Sequence, residues 1–136
     1  MSIVGPKGVQ FQNRDLTVIL KRGQNMATIE KKSLNQPEQT KQIGRVKVEV
    51  IAMGGLNFQR DTAEPGWRWS EDVKPVVKTE SCQVNHLLYV VSGRLHVRMD
   101  DGKETEFNPG DMGLIPPGHD GWTVGDKPAV WLEFQH

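Results

Sequence analysis

The sequence predicts an all-β fold, an antiparallel β-barrel of short strands, on three observations. From Arg45 onward, apolar residues recur with a period of two. Glycine and proline turns separate the runs, and no long segment carries a 3.6-residue period. A closed barrel also removes the exposed sheet edges that invite aggregation. At 136 residues, the chain suits a single domain with a real core.

The elements follow in order. Residues 1–43 read as an N-terminal arm, partly irregular, with Gly5, Pro6, Gly8, Gly23 and Pro37 punctuating a polar stretch. Leu16–Leu20 is the one short strand expected there, and Met26-Ala27-Thr28 reads as a second translation start. The barrel is assigned to residues 44–136. Val46, Val48 and Val50 alternate with Lys47 and Glu49, and Gly54-Gly55 ends that strand. Trp67 and Trp69 alternate around Arg68, predicting a strand with two rings on one face. Leu87–Val91 is an apolar run closed by Ser92-Gly93. Leu95, Val97 and Met99 then alternate with Arg94, His96 and Arg98, and Asp101-Gly102 turns the chain back along Glu104–Phe107. Met112–Ile115 and Trp122–Val124 follow, and Val130, Leu132 and Phe134 alternate with Trp131 and Glu133. The expected interior is Leu95, Val97, Met99, Leu114, Leu132 and Phe134.

Composition excludes several classes. No run approaches the roughly 20 apolar residues of a spanning helix, so no membrane role is expected. Charge is balanced, 17 Lys and Arg against 17 Asp and Glu, with the basic excess dispersed before residue 48 and no aromatics interleaved. That pattern argues against nucleic-acid binding; an arm that contacts a protein partner is the remaining use for it. The lone Cys82 excludes an intrachain disulfide and, with no secretory signal apparent, leads to the expectation of a cytoplasmic protein. No P-loop, nucleophile elbow, H-E-x-x-H or dinucleotide fingerprint occurs. Trp67, Trp69, Tyr89 and Trp122 are candidates for lining a pocket, although aromatics in a small barrel are more often core.

The stretch Glu80–Trp122 carries the most specific pattern: E-S-C-Q-V-N-H-L-L-Y-V-V-S-G, then F-N-P-G-D-M-G-L-I-P-P-G-H-D-G-W. It resembles the cupin family, whose jelly-roll-like barrels (double-stranded β-helices) often hold a metal ion. The family pattern is H-x-H, E and G, followed by G, P-x-G and H. Gly93, Gly110, Pro116 and Gly118 match its skeleton. The ligand positions fall on Glu80, Cys82, His86 and Gly121, and none keeps the family residue. The resemblance therefore implies a metal site of non-standard composition: Glu80, Cys82 and His86, joined by His119 two residues before the vacant position. Thiolate and imidazole would suit Zn²⁺ or Fe²⁺. The alternatives are a buried apolar role for Cys82, a hydrogen-bonded structural role for His86, and a turn role for Asp120 beside His119. The resemblance further implies a homodimer that binds a small-molecule ligand in the barrel mouth. Its rival is a metal-dependent oxygenase, isomerase or epimerase using the same residues.

Overall fold

The computed structural model describes residues 28–135 and the backbone of a short antiparallel ribbon, β1 (Ile3–Val4) and β2 (Gln10–Phe11). The strand expected at Leu16–Leu20 lies outside the described residues. Two facing antiparallel sheets form the body. The larger has the order β3 (Gln39–Ile43), β4 (Val46–Met53), β5 (Leu56–Ala63), β11 (Ala129–Gln135), β6 (His86–Ser92), β9 (Met112–Ile115). The smaller has the order β10 (His119–Thr123), β7 (Leu95–Met99), β8 (Glu104–Phe107). The all-β, antiparallel expectation holds. The two sheets pack as a sandwich and are not hydrogen-bonded into a closed barrel. The larger sheet begins at Gln39, within the stretch read as an arm, because β3 pairs with β4 from Gln39↔Val50 to Ile43↔Val46.

The core lies between the sheets. Leu95 and Val97 of β7 face Leu88 and Val90 of β6 across it, and all four are buried. Gly93, between β6 and β7, has φ +71°, and a Cβ there would sit 2.0 Å from the Pro128 carbonyl oxygen. Only glycine combines that backbone with so close an approach.

Three expectations change. In β11, Trp131 and Glu133 face inward, whereas Leu132 is half-buried and Phe134 exposed. That strand is apolar on both faces, so alternation alone does not choose between them, and Glu133 finds buried partners described below. Leu114 pairs with Leu87 on the outer face of the larger sheet and is 71% exposed. The Trp67–Trp69 segment makes only a single bridge, Arg68↔Trp122, before α1 (Trp69–Asp72) and α2 (Lys74–Val77). Asp72 draws the chain into that turn: it accepts from the Arg68 amide at 3.0 Å and from the Arg45 guanidinium at 3.0 Å. Both indoles are nevertheless buried.

Candidate metal centre and its cavity

Cys82, His86 and His119 converge, with one ligand atom from each lying within 4.8 Å of the others. Local pairing explains the convergence. Cys82 bridges to His119, donating its amide to the His119 carbonyl at 2.8 Å and accepting from the Gly118 amide at 2.7 Å. His86 opens β6 on the same face as Leu88 and Val90. His119 opens β10, whose alternating burial places His119, Gly121 and Thr123 inward. The two-residue offset from Gly121 therefore keeps His119 on the inner face, since strand side chains repeat every second residue.

Each ring is oriented by a partner on its far side. His119 Nδ1 lies 2.7 Å from the Pro116 carbonyl oxygen, which only accepts, so Nδ1 carries a proton and the ring is fixed by that bond. His86 Nε2 lies 3.5 Å from Cys82 Sγ. Its Nδ1 is 2.9 Å from Glu133 Oε1, off the line of a directed hydrogen bond, so we treat the contact as electrostatic. Glu133 is almost wholly buried and is held by Trp131 Nε1 at 2.8 Å and by Gln135 Nε2 at 3.1 Å.

Electrostatics pair the cluster even without an ion. Burial opposes ionisation of Cys82, but hydrogen bonds from His119, His86 and the Val84 amide outweigh it and bring the thiol down to about 6. Burial likewise opposes charge on His86, yet Cys82 and Glu133 push it up to about 10. The two thus form a thiolate–imidazolium pair near neutral pH. Tetrahedral zinc holds N and S ligand atoms roughly 3.3–3.7 Å apart, and the Cys82–His86 separation meets that requirement.

A cavity of about 170 Å³ opens beside this cluster, between the sheets. Its walls are mostly apolar, including Val46, Val48, Trp67, Trp69, Leu95 and Val97. Two carboxylates also line it, Glu133 and Asp61. Asp61 accepts from Gln59 Nε2 at 2.7 Å. Burial, reinforced by the charge of Glu133, raises its carboxyl to about 8, with Gln59 and His86 acting in the opposite sense.

Other expected site residues lie elsewhere. The Glu80 side chain is fully exposed, 3.4 Å from Lys74 Nζ. The segment before β6 is not a continuous strand, so alternation does not carry Glu80 inward with Cys82, and solvent spares the carboxylate a desolvation cost. Trp67 and Trp69 line the cavity; Tyr89 and Trp122 do not. Tyr89 sits on the outer face of β6. Trp122 faces outward, stacked on His96 at 4.7 Å and beneath the Arg68 guanidinium at 4.2 Å. Asp120 accepts from the Ser70 amide at 3.1 Å and so steadies α1 rather than the His119 ring. Asp61 and Glu133 were not anticipated; the only trace was a lone acid in each of two strands.

Residues 76–134 match the family model for the cupin domain. Over that stretch, which holds Cys82, His86 and His119, this chain is similar to the cupin superfamily. The chain is similar in fold to a protein of unknown function from Rhizobium leguminosarum bv. viciae, with TM-score 0.59 and 18% identity over 80% of this chain and 97% of that one. It is also similar to the polyketide cyclase RemF of Streptomyces resistomycificus, with TM-score 0.58 and 15% identity over 79% of each chain. An RmlC-like cupin from Shewanella frigidimarina gives TM-score 0.54 and 19% identity over 79% of this chain and 90% of that one. Likeness at these identities concerns the fold. No curated protein sequence matches significantly. Among the described residues, no helix is long and apolar enough to cross a membrane.

Proposed function

We propose that this protein holds a divalent metal, Zn²⁺ or Fe²⁺, through Cys82, His86 and His119, and binds a small molecule beside it in the cavity. The observation that carries this reading is the convergence of three ligand atoms, with His119 locked by a carbonyl and His86 backed by a carboxylate. Histidines that ligate metals characteristically use their second nitrogen in this way. A thiolate and two imidazoles suit the borderline metals, and three protein ligands leave a coordination position for the bound molecule. When bound, such an ion polarises an oxygen of its ligand. Catalysis of the oxygenase, isomerase or epimerase kind is a second reading, favoured by Asp61. A carboxyl that keeps its proton to about pH 8 while facing the cavity is placed for acid–base work.

The same reading takes the protein to be cytoplasmic, where a free, ionised Cys82 stays reduced, and to be a homodimer. Support for the dimer comes from the outer face of β11, β6 and β9. Leu87, Tyr89, Val91, Met112, Leu114 and Phe134 are all exposed there, and none carries a charge. Together they offer on the order of 600 Å² of apolar surface, against ~800 Å² per partner in a standard interface. A second copy of this chain is the occupant that such a large, uncharged face fits best.

Elemental analysis of the protein, purified without chelator or histidine tag, tests the central claim. About one equivalent of zinc or iron is expected, lost in His86→Ala and His119→Ala and kept in His96→Ala. Metal-free native protein whose melting temperature is unmoved by added zinc would refute it.

A further inference from the structure

The indole N–H of Trp67 is a buried donor with no partner among the described residues. Trp67 is only 6% exposed and lines the cavity, where its ring packs against Trp131 at 5.8 Å. The contrast with Trp131 is informative, because that indole donates to Glu133 at 2.8 Å. A buried donor left unmade is costly, so an orphan on a side chain that lines a cavity points to an acceptor that arrives with a ligand, once the ring yields enough to admit it.

Three further features limit what that ligand is. A cavity of about 170 Å³ compares with the ~150 Å³ apolar cavity that admits benzene, so a molecule of one ring fits. The walls are mostly apolar, which suits a carbon skeleton with few polar groups. Glu133 lines the same space, and its charge, which also helps to hold the proton on Asp61, disfavours a carboxylate in metal-free surroundings.

We propose that the cavity takes an uncharged, ring-sized, mostly apolar molecule bearing an oxygen acceptor, and that Trp67 Nε1–H binds that oxygen. This deepens the small-molecule reading of the same cavity and rests on it, but it does not need the metal. Trp67 is then the residue that sets which oxygenated ligands enter, while the Cys82, His86 and His119 cluster handles the metal.

Toluene, phenol and benzoate separate these terms, being alike in size but respectively apolar, oxygenated and charged. Binding to the full-length protein is measured by calorimetry and by ¹H–¹⁵N spectra, with and without saturating zinc. The four tryptophans give four indole cross-peaks, and Trp67→Phe identifies its own by loss. Phenol is expected to bind about tenfold more tightly than toluene, the scale of one hydrogen bond made to a buried donor. Benzoate should bind more weakly than phenol in zinc-free protein. The Trp67 cross-peak should move with phenol and stay in place with toluene. In Trp67→Phe, phenol should fall to the toluene level while toluene changes little. Equal affinity for phenol and toluene in the parent protein, or a Trp67 cross-peak indifferent to phenol, overturns the proposal whether or not the variant folds. Zinc binding without a phenol preference would overturn this inference alone. A phenol preference without zinc binding would support it and refute the metal centre.

Discussion

Replacing Glu133 with glutamine isolates the carboxylate behind His86. The substitution keeps the side chain's shape and removes its charge. Trp131 and His86 approach Oε1, whereas Gln135 approaches Oε2. The new amide settles with its oxygen toward Trp131 and His86, and its NH₂ then meets Gln135, whose own amide can turn over to accept. Hydrogen bonding is thus largely kept, and the lost charge dominates. Removing an outer partner of a metal-bound histidine costs 10–100-fold in metal affinity, or about 1.4–2.7 kcal/mol. Global stability should fall by about 1–3 kcal/mol at most, the cost of one imperfectly met buried group. Glu133→Ala would be less informative, because stripping one partner from a buried charged pair costs about 3–5 kcal/mol and risks the fold itself. The assay is zinc competition against a chromogenic chelator, with urea melts of the chelator-treated protein alongside. Glu104→Gln, beside the outward His96 at 2.9 Å, is the control and should change zinc affinity less than twofold. A Glu133→Gln protein that folds normally and keeps parental zinc affinity would refute the assignment of His86 as a ligand backed by Glu133.

Two other outcomes follow from the structure. Burial raises the Asp61 carboxyl to about 8, so between roughly pH 4 and pH 8 the native state holds a proton that the unfolded chain has released. Stability therefore falls as pH rises through that window, and Asp61→Asn should remove the fall, gaining on the parent more at pH 8 than at pH 4 in urea melts; parallel profiles would contradict it. Leu114→Glu places a charge on the uncharged outer face, on its edge strand β9, without disturbing the core, since Leu114 is mostly exposed. It should convert a dimer to a monomer in sedimentation at unchanged melting temperature of the monomer fold, whereas a parent protein that sediments as a monomer at high concentration would sink the dimer.

What the sequence disclosed depends on where the strand period applies. In β7, Leu95 and Val97 are apolar and their neighbours polar, so the inner face was legible, and both are buried. In β11 and β6, apolar residues occupy both faces, and the period loses its power to choose. There, Leu132 and Phe134 turned outward in favour of Trp131 and Glu133. The site repeats this logic. His119 could be followed because its offset from Gly121 is two residues along a true strand, which preserves direction. Glu80 stands two residues from Cys82, but the chain there is irregular, and the same arithmetic led outward. Asp61 and Glu133 were hidden for a different reason. A buried acid is tolerable only beside partners that neutralise or solvate it; Gln59, Trp131 and Gln135 each stand two residues away on the acid's own strand, but His86, which faces Glu133, comes from β6, far off in sequence. An isolated acid in a strand reads as solvent-facing until those partners are assembled. The polar half of the site is therefore a property of the sandwich, and the cluster at Cys82, His86 and His119 is a property of the local motif. The two halves meet at the ring of His86, whose Nε2 faces Cys82 while its Nδ1 faces Glu133. That ring transmits the carboxylate's charge to the ligand cluster, so substitutions on either side of it should be coupled in their effect on metal affinity rather than additive.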